Sequence, residues 1–339
     1  MTPQALTGSA LPNLIRLLSS YGIDKSRWSK LPALLLWSTL LTPLYFLEKI
    51  TFLFIQKLPI HPEPIFIIGH WRSGTTYLHY LLANDKQFGV CSNVDAFVPG
   101  ALFIGRRISR KVMAWRLPKT RPMDDVKLDA DAPQEDEFAM MLLTPYSFYH
   151  GFVFPRSLEK LFFTYAVLDP GNVPLIYNWT QCYYQYLRKV SYRQKSRRLL
   201  LKNPVNTTRI KYLTRIFPKA KFIYLHRDPA EVKQSTLRMF QAMIQVNNLQ
   251  SFDERQLTQH IELFHNTLVK EYEAQRQYID PDNLIEINYE DLITAPLQTA
   301  KSIYKALKIP GFEASQSAFE QFIQEQKNYK PHQYSYSAV

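Results

Sequence analysis

The chain has 339 residues, 46% of them hydrophobic and 21% charged, with a formal net charge of +12. That length supports one large α/β domain or two smaller ones without staples, and the composition excludes a disordered chain. The basic excess points to anionic partners, whether a phosphorylated small molecule, an acidic substrate or a membrane surface. No nucleic-acid-binding signature accompanies it: outside Arg106 to Lys111 (RRISRK) and Arg193 to Arg198 (RQKSRR), both read as solvated faces, the basic residues are scattered.

The first 30 residues read as helical and mixed. Leu31 to Leu47 (LPALLLWSTLLTPLYFL) then carries no charge, and Ile50 to Gln56 continues the apolar character after an interruption at Glu48 and Lys49. The uncharged run falls just short of the ~20 residues of a membrane span, and Pro43 is expected to kink it. Three readings stand for it: a transmembrane anchor, helices lying in one leaflet with Lys25, Arg27, Lys30 and Lys57 at the headgroups, or helices packed on a soluble core. It does not read as a signal peptide, because it starts far from the N-terminus with no small-residue cleavage site after it.

From residue 64 the pattern becomes strand, loop, helix. Pro64 to Ile68 (PIFII) predicts a strand that ends at Gly69 and passes through HWRSG into the helical TTYLHYLL. Further strands are predicted at RLLL (198–201), KFIYL (221–225) and LIEI (284–287), each followed by a turn or helix signal. Short apolar strands alternating with helices predict a parallel α/β sheet covered on both faces, with its chemistry at the strand C-terminal ends.

Three motifs fall at such ends. Gly69-His70-Trp71-Arg72-Ser73-Gly74-Thr75-Thr76 has the GxxxxG spacing of a P-loop, in which backbone N–H groups before a helix cradle an anion. The lysine expected after the second glycine of a nucleoside triphosphatase is replaced by Thr75, which argues against a metal-bound γ-phosphate. Lys202-Asn203-Pro204 follows RLLL, and Pro204 ends that strand sharply. His226-Arg227-Asp228-Pro229 follows KFIYL, with Asp228 and Pro229 as a helix start and Ser235 eight residues after Arg227, about two turns along the helix. A guanidinium fork at such an end suits a phosphate.

Together, RSGTT after a strand, LLLKNP, and FIYLHRDP with its later serine resemble the sulfotransferase superfamily, in particular its bacterial and tyrosylprotein-sulfotransferase-like branch. The resemblance runs from about residue 64 to the end. It implies a P-loop-like parallel sheet flanked by helices and a catalytic domain over 61–339; residues 1–60 are left as an N-terminal helical segment, membrane-associated under the first two of the three readings above. It implies 3′-phosphoadenosine-5′-phosphosulfate (PAPS) as sulfuryl donor and no metal. The 5′-phosphosulfate falls to Arg72, Ser73, Gly74, Thr75 and Thr76, the 3′-phosphate to Arg227 and Ser235, and the transferring group to Lys202. NYEDL (288–292) and the C-terminal Lys330, His332 and Tyr334 also match, the latter as groups closing over the nucleotide.

The soluble branch of that superfamily has a histidine base shortly after its strand-end lysine; here Pro204 stands in its place. The base candidates are Glu135, in the acidic run Asp131-Ala-Pro-Gln-Glu135-Asp136-Glu137, and Asp95, which lies 23 residues past Arg72, with His150 third. The crowding of like charges in that run is expected to raise the pKa of Glu135. The acidic run also suits a helix N-terminus. The expected function is transfer of a sulfuryl group from PAPS to a hydroxyl or amine of a small-molecule, glycan or lipid acceptor, with the aromatic stretch Tyr146 to Phe163 as candidate pocket lining. A P-loop kinase and a non-catalytic membrane-peripheral binder are the rival readings. The partners are the nucleotide donor, the acceptor and a peripheral membrane contact, with no nucleic acid. Two cysteines, Cys91 and Cys182, lie in no metal or redox motif and read as free thiols, which favours a reducing, cytoplasmic location.

Overall fold

The structure, a computed structural model, describes residues 4–55, 59–116 and 129–326. Strands β1 (Ile65–Gly69), β2 (Phe88–Val90), β3 (Arg198–Lys202), β4 (Lys221–His226) and β5 (Leu284–Asn288) form one five-stranded sheet in the order β2-β3-β1-β4-β5. Every pair is parallel, with Ile65 opposite both Leu200 and Lys221. β1 is central, and after β3 the chain crosses over it to β4. The loop leaving β1 therefore opens between the two halves of the sheet, where ligands of open α/β folds bind.

All five residues of β1 are buried, as two covered faces require. Phe66, Ile68, Leu199, Leu201 and Phe222 pack one face against Trp179, Tyr183, Leu187 and Val190 of the helix Val173–Arg193. Ile65, Ile67, Leu200, Ile223 and Leu225 pack the other against Leu78, Leu81 and Leu82 of the helix Thr75–Leu82 and against Ala300 and Ile303. A third cluster joins Leu6, Leu14, Leu17 and Leu34 to Phe148, Phe154, Phe162, Phe240 and Phe264. The N-terminal helices thus share a core with the rest of the chain.

The apolar run near the N-terminus is one helix, Leu31–Ile55, which continues through Pro43 and does not break at Glu48 and Lys49. Glu48 faces inward: its carboxylate accepts the Phe103 N–H at 3.0 Å and pairs with Lys189 at 3.4 Å, so the acid that looked like an interruption is a buried tether. Leu34, Ser38, Glu48 and Phe52 line the packed face. On the opposite face Leu36, Leu40, Phe46, Leu53 and Phe54 are between 56% and 83% exposed. The helical stretch Lys25–Phe54 is long and apolar enough to cross a membrane, and only 17% of its most apolar window is buried.

The aromatic stretch at 146–163 mostly belongs to the core. Phe148, Tyr149, Phe152, Phe154 and Phe162 are buried, with Phe162 stacked on Phe264 at 4.0 Å between ring centres.

Candidate active site

The loop after β1 is pinned by two threonines. Thr207 Oγ1 accepts the Gly69 N–H at 2.9 Å and donates to the Gly69 carbonyl at 3.0 Å, and Thr236 Oγ1 donates to the Trp71 carbonyl at 3.2 Å. Arg72 holds φ +68° and Gly74 φ +95°. At Gly74 a Cβ would come within 2.5 Å of the Tyr289 ring, so only glycine permits both the turn and the contact. Gly74 also caps the helix Thr75–Leu82 without any side-chain acceptor, leaving the first-turn N–H groups for an anion.

The other two motifs converge on this loop. Arg72 Nε donates to Ser235 Oγ at 2.9 Å, and Arg227 Nη1 donates to the Arg72 carbonyl at 2.9 Å. The Arg227 guanidinium lies 4.0 Å above the Tyr289 ring and also pairs with Glu231 at 2.7 Å. Lys202, buried at the end of β3, donates to Thr76 Oγ1 at 3.2 Å and forms an ion pair with Glu135. Three sequence-distant cations therefore surround one helix N-terminus, the electrostatic arrangement that a multiply charged anion requires. Lys330, His332 and Tyr334 lie outside the described residues.

The acidic run resolves into separate environments. Glu135 accepts from both Lys202 and the Tyr149 hydroxyl, and Tyr149 in turn accepts the Trp71 indole N–H at 3.2 Å. Asp131 is drawn to Arg106 and Arg110, Asp136 accepts from the Tyr183 hydroxyl, and Glu137 pairs with Arg209 at 2.6 Å. The expected crowding of carboxylates around Glu135 is thus not realised, because each neighbouring acid is taken by its own partner. Tyr149 and Trp71 were not singled out by sequence reasoning; their signal is only that one lies in the loop motif and the other in the aromatic stretch.

Asp95 and His150 sit elsewhere. Asp95 is fully buried and forms a capping box with Ser92 at the helix Asn93–Phe97. Its carboxylate pairs with Arg106 at 3.3 Å and with Arg193. The structure therefore does not join Asp95 to the Glu135–Lys202 pair; two arginines and a helix end occupy it. His150 is buried with Nε2 2.8 Å from the Met141 carbonyl, and burial depresses its pKa to about 4, so it is neutral.

Two buried acids beside Glu135 titrate in opposite directions. Burial pushes Asp136 up to about 7, against the Tyr183 hydrogen bond that favours its ionised form. Burial would also raise Glu137, but the Arg209 charge and hydrogen bonds from Arg209, Ser147 and Asn203 outweigh it and hold the carboxyl below its usual range. For Asp136 the folded state binds the proton more tightly than the unfolded state. Its contribution to stability is complete below the unfolded carboxylate pKa and is lost as pH rises through about 7. Asp136→Asn should remove this component, so that its stability relative to wild type improves between acid and neutral pH. Chemical-denaturation curves across that window check the sign; parallel curves would rule the assignment out.

The class of protein that this fold and site define can now be stated. Residues 64–314 match the model of the Sulfotransferase family, and the chain belongs to that family. It is a sulfotransferase, an enzyme that moves a sulfuryl group to an acceptor. It is 29% identical over 285 residues to the omega-hydroxy-beta-dihydromenaquinone-9 sulfotransferase Stf3 of Mycobacterium bovis and of Mycobacterium tuberculosis, an alignment covering 83% of this chain and 71% of the relative. Two solved structures share the fold. Sulfotransferase STF9 from Mycobacterium avium matches with TM-score 0.66 at 16% identity, over 94% of this chain and 88% of that one. STF1 from Mycobacterium tuberculosis matches with TM-score 0.64 at 19% identity, over 94% and 87%.

Proposed function

We propose that the sulfuryl donor is PAPS and the acceptor a lipid alcohol, with Glu135 as the base. The observation that carries this reading is the convergence of Arg72, Lys202 and Arg227 on the uncapped helix start at Thr75, with Glu135 held against Lys202. The loop N–H groups of Arg72, Ser73, Gly74, Thr75 and Thr76 hold the 5′-phosphosulfate, with the hydroxyls of Thr75 and Thr76 as further donors; the Ser73 hydroxyl donates to the His70 carbonyl at 2.8 Å and shapes the loop. Arg227 and Ser235 hold the 3′-phosphate. The lipid character of the acceptor is supported by the relative named for a hydroxylated menaquinone and by the exposed apolar face of the helix Leu31–Ile55, through which the protein contacts a membrane. Two free thiols suit a catalytic domain in the cytoplasm.

In the reaction the acceptor oxygen forms a bond to sulfur while the bond from sulfur to the bridging phosphate oxygen breaks. The electron pair of that bond goes to the departing nucleotide, and the hydroxyl proton goes to Glu135. Lys202 and Arg72 stabilise the charge that grows on the bridging and phosphate oxygens, as donors already in place before the reaction. No step in this scheme calls for a metal, because cations of the chain already hold the leaving phosphate. Lys202 is paired with Glu135. An anionic donor draws Lys202 toward it, which leaves a Glu135 oxygen open to the acceptor hydroxyl.

The nucleotide assignment is tested by thermal shift. The product nucleotide PAP (3′-phosphoadenosine-5′-phosphate) should raise Tm by mass action, and ATP with Mg²⁺ should not. Arg227→Ala should weaken PAP binding by ~1.5–3 kcal/mol, about 10- to 150-fold, the range for a charge-assisted hydrogen bond. An unchanged PAP affinity in a folded Arg227→Ala protein would remove Arg227 from the donor site.

A further inference from the structure

The helix Arg106–Arg116 has two chemically different faces and no acidic residue in its sequence. Its inner face carries Arg106, which bonds the buried Asp95 at 3.3 Å and Asp131 at 3.1 Å, and Arg110, which also pairs with Asp131. Its outer face carries Ile108, Val112 and Trp115, which are 69%, 42% and 81% exposed. Spacings of four and three residues put these three side chains in one stripe. Arg107 and Lys111, both exposed, flank the stripe on one side. A solvated face needs no such apolar stripe; an exposed Trp, Ile and Val aligned beside two cations is the pattern of a helix lying at a lipid interface.

The chain enters this helix from beside the exposed apolar helix Leu31–Ile55. The segment leading into it lies along the middle of that helix: a Cβ at Gly100 would fall 2.1 Å from the Tyr45 ring, Gly105 sits against Leu44, and the Phe103 N–H bonds Glu48. At the start of the longer helix, exposed Trp28 and Lys25 supply the aromatic and cationic groups favoured at headgroup depth.

We propose that the helix Arg106–Arg116 is a second membrane-seating element, which together with the outer face of Leu31–Ile55 docks the enzyme on an anionic leaflet. The occupant is a bilayer surface bearing negative headgroups, because the stripe is apolar and the charged residues beside it on the helix, Arg107 and Lys111, are basic. The inner face of the helix ties this surface to the active site: Asp131, which bonds Arg106 and Arg110, lies four residues before Glu135. The base-bearing segment is thereby fastened to the membrane-facing helix, and an acceptor hydroxyl drawn from the leaflet meets Glu135 from that side. This deepens the lipid-acceptor reading and rests on it for that last step only.

The test is flotation of the full-length chain with phosphatidylcholine vesicles, with and without phosphatidylglycerol. The wild type should float with the anionic vesicles and lose much of that binding in high salt. Removing Arg107 and Lys111 together (Arg107→Gln, Lys111→Gln) should lower partitioning roughly 25-fold, at about fivefold per charge near the surface. Ile108→Ser with Trp115→Ser should lower it on both vesicle types. PAP-induced thermal shifts should be unchanged in all variants, which establishes folding and separates this test from that of the nucleotide site. Wild-type partitioning in both helix variants would overturn the proposal. So would equal binding to neutral and anionic vesicles. Concentration-dependent self-association through the stripe, with no vesicle binding, would assign the face to a second copy and overturn it as well.

Discussion

Glu135→Gln is expected to lower turnover by ~10²–10⁴-fold while leaving PAP affinity unchanged or improved. The amide keeps the shape of the side chain and can still accept from Tyr149 Oη, but it cannot take the acceptor proton. It also no longer forms the ion pair with Lys202, so Lys202 is more readily drawn to the nucleotide. The split between turnover and binding separates a base from a residue that only shapes the pocket, since a structural defect would weaken PAP as well. Near-wild-type turnover would return Glu135 to a structural role. Asp95→Asn is the matched control: its carboxylate is committed to Ser92, Arg106 and Arg193, so the change should reduce stability, with turnover following only the folded fraction.

The reverse pattern is expected two residues along the same run. Glu137 and Arg209 are both completely buried, and Arg209 also donates to the Tyr165 carbonyl at 2.5 Å and lies 4.7 Å above the Trp179 ring. Replacing either partner leaves the other charge buried and unpaired, at a cost of ~3–5 kcal/mol. Arg209→Met or Glu137→Gln should therefore lower Tm by roughly 5 °C. Part of the Glu137 effect is pH-dependent: its folded pKa is depressed, so the stabilisation is present above the ordinary carboxylate range and fades as pH falls through the folded value. Calorimetry of Glu137→Gln beside Glu135→Gln makes the contrast, one losing stability and the other turnover. A Glu137→Gln protein as stable as wild type would show that the pair does not hold this part of the core.

Much of this site was readable from local chemistry. Gly69 to Thr76, Lys202 and Arg227 were found because each follows an apolar strand and each carries a residue type suited to anions, and the fold brings them together at one sheet edge. β2 was missed because it is three residues long with Gly89 at its centre, too short for alternation to register. The sheet order was equally hidden, since it depends on which strands lie next to β1 rather than on any one segment. Spacing from the loop made Asp95 a base candidate, but its environment is set by Arg193, 98 residues away. Glu48 looked like a break in an apolar run because the sequence does not announce Lys189 as its partner. The links from Glu135 to Tyr149 and from Tyr149 to Trp71 cross 14 and 78 residues, beyond any periodic signal.

The central claim is that this chain transfers a sulfuryl group from PAPS to a lipid alcohol with Glu135 as base. Its most direct test is incubation of the full-length protein with PAPS labelled in the sulfuryl group and a membrane-lipid extract, followed by separation of the lipid fraction. The account predicts a labelled lipid with the wild type and a loss of ~10²–10⁴-fold in its rate of formation with Glu135→Gln. A wild-type protein that binds PAP yet labels no lipid, or a Glu135→Gln protein that labels lipid at the wild-type rate, would contradict it.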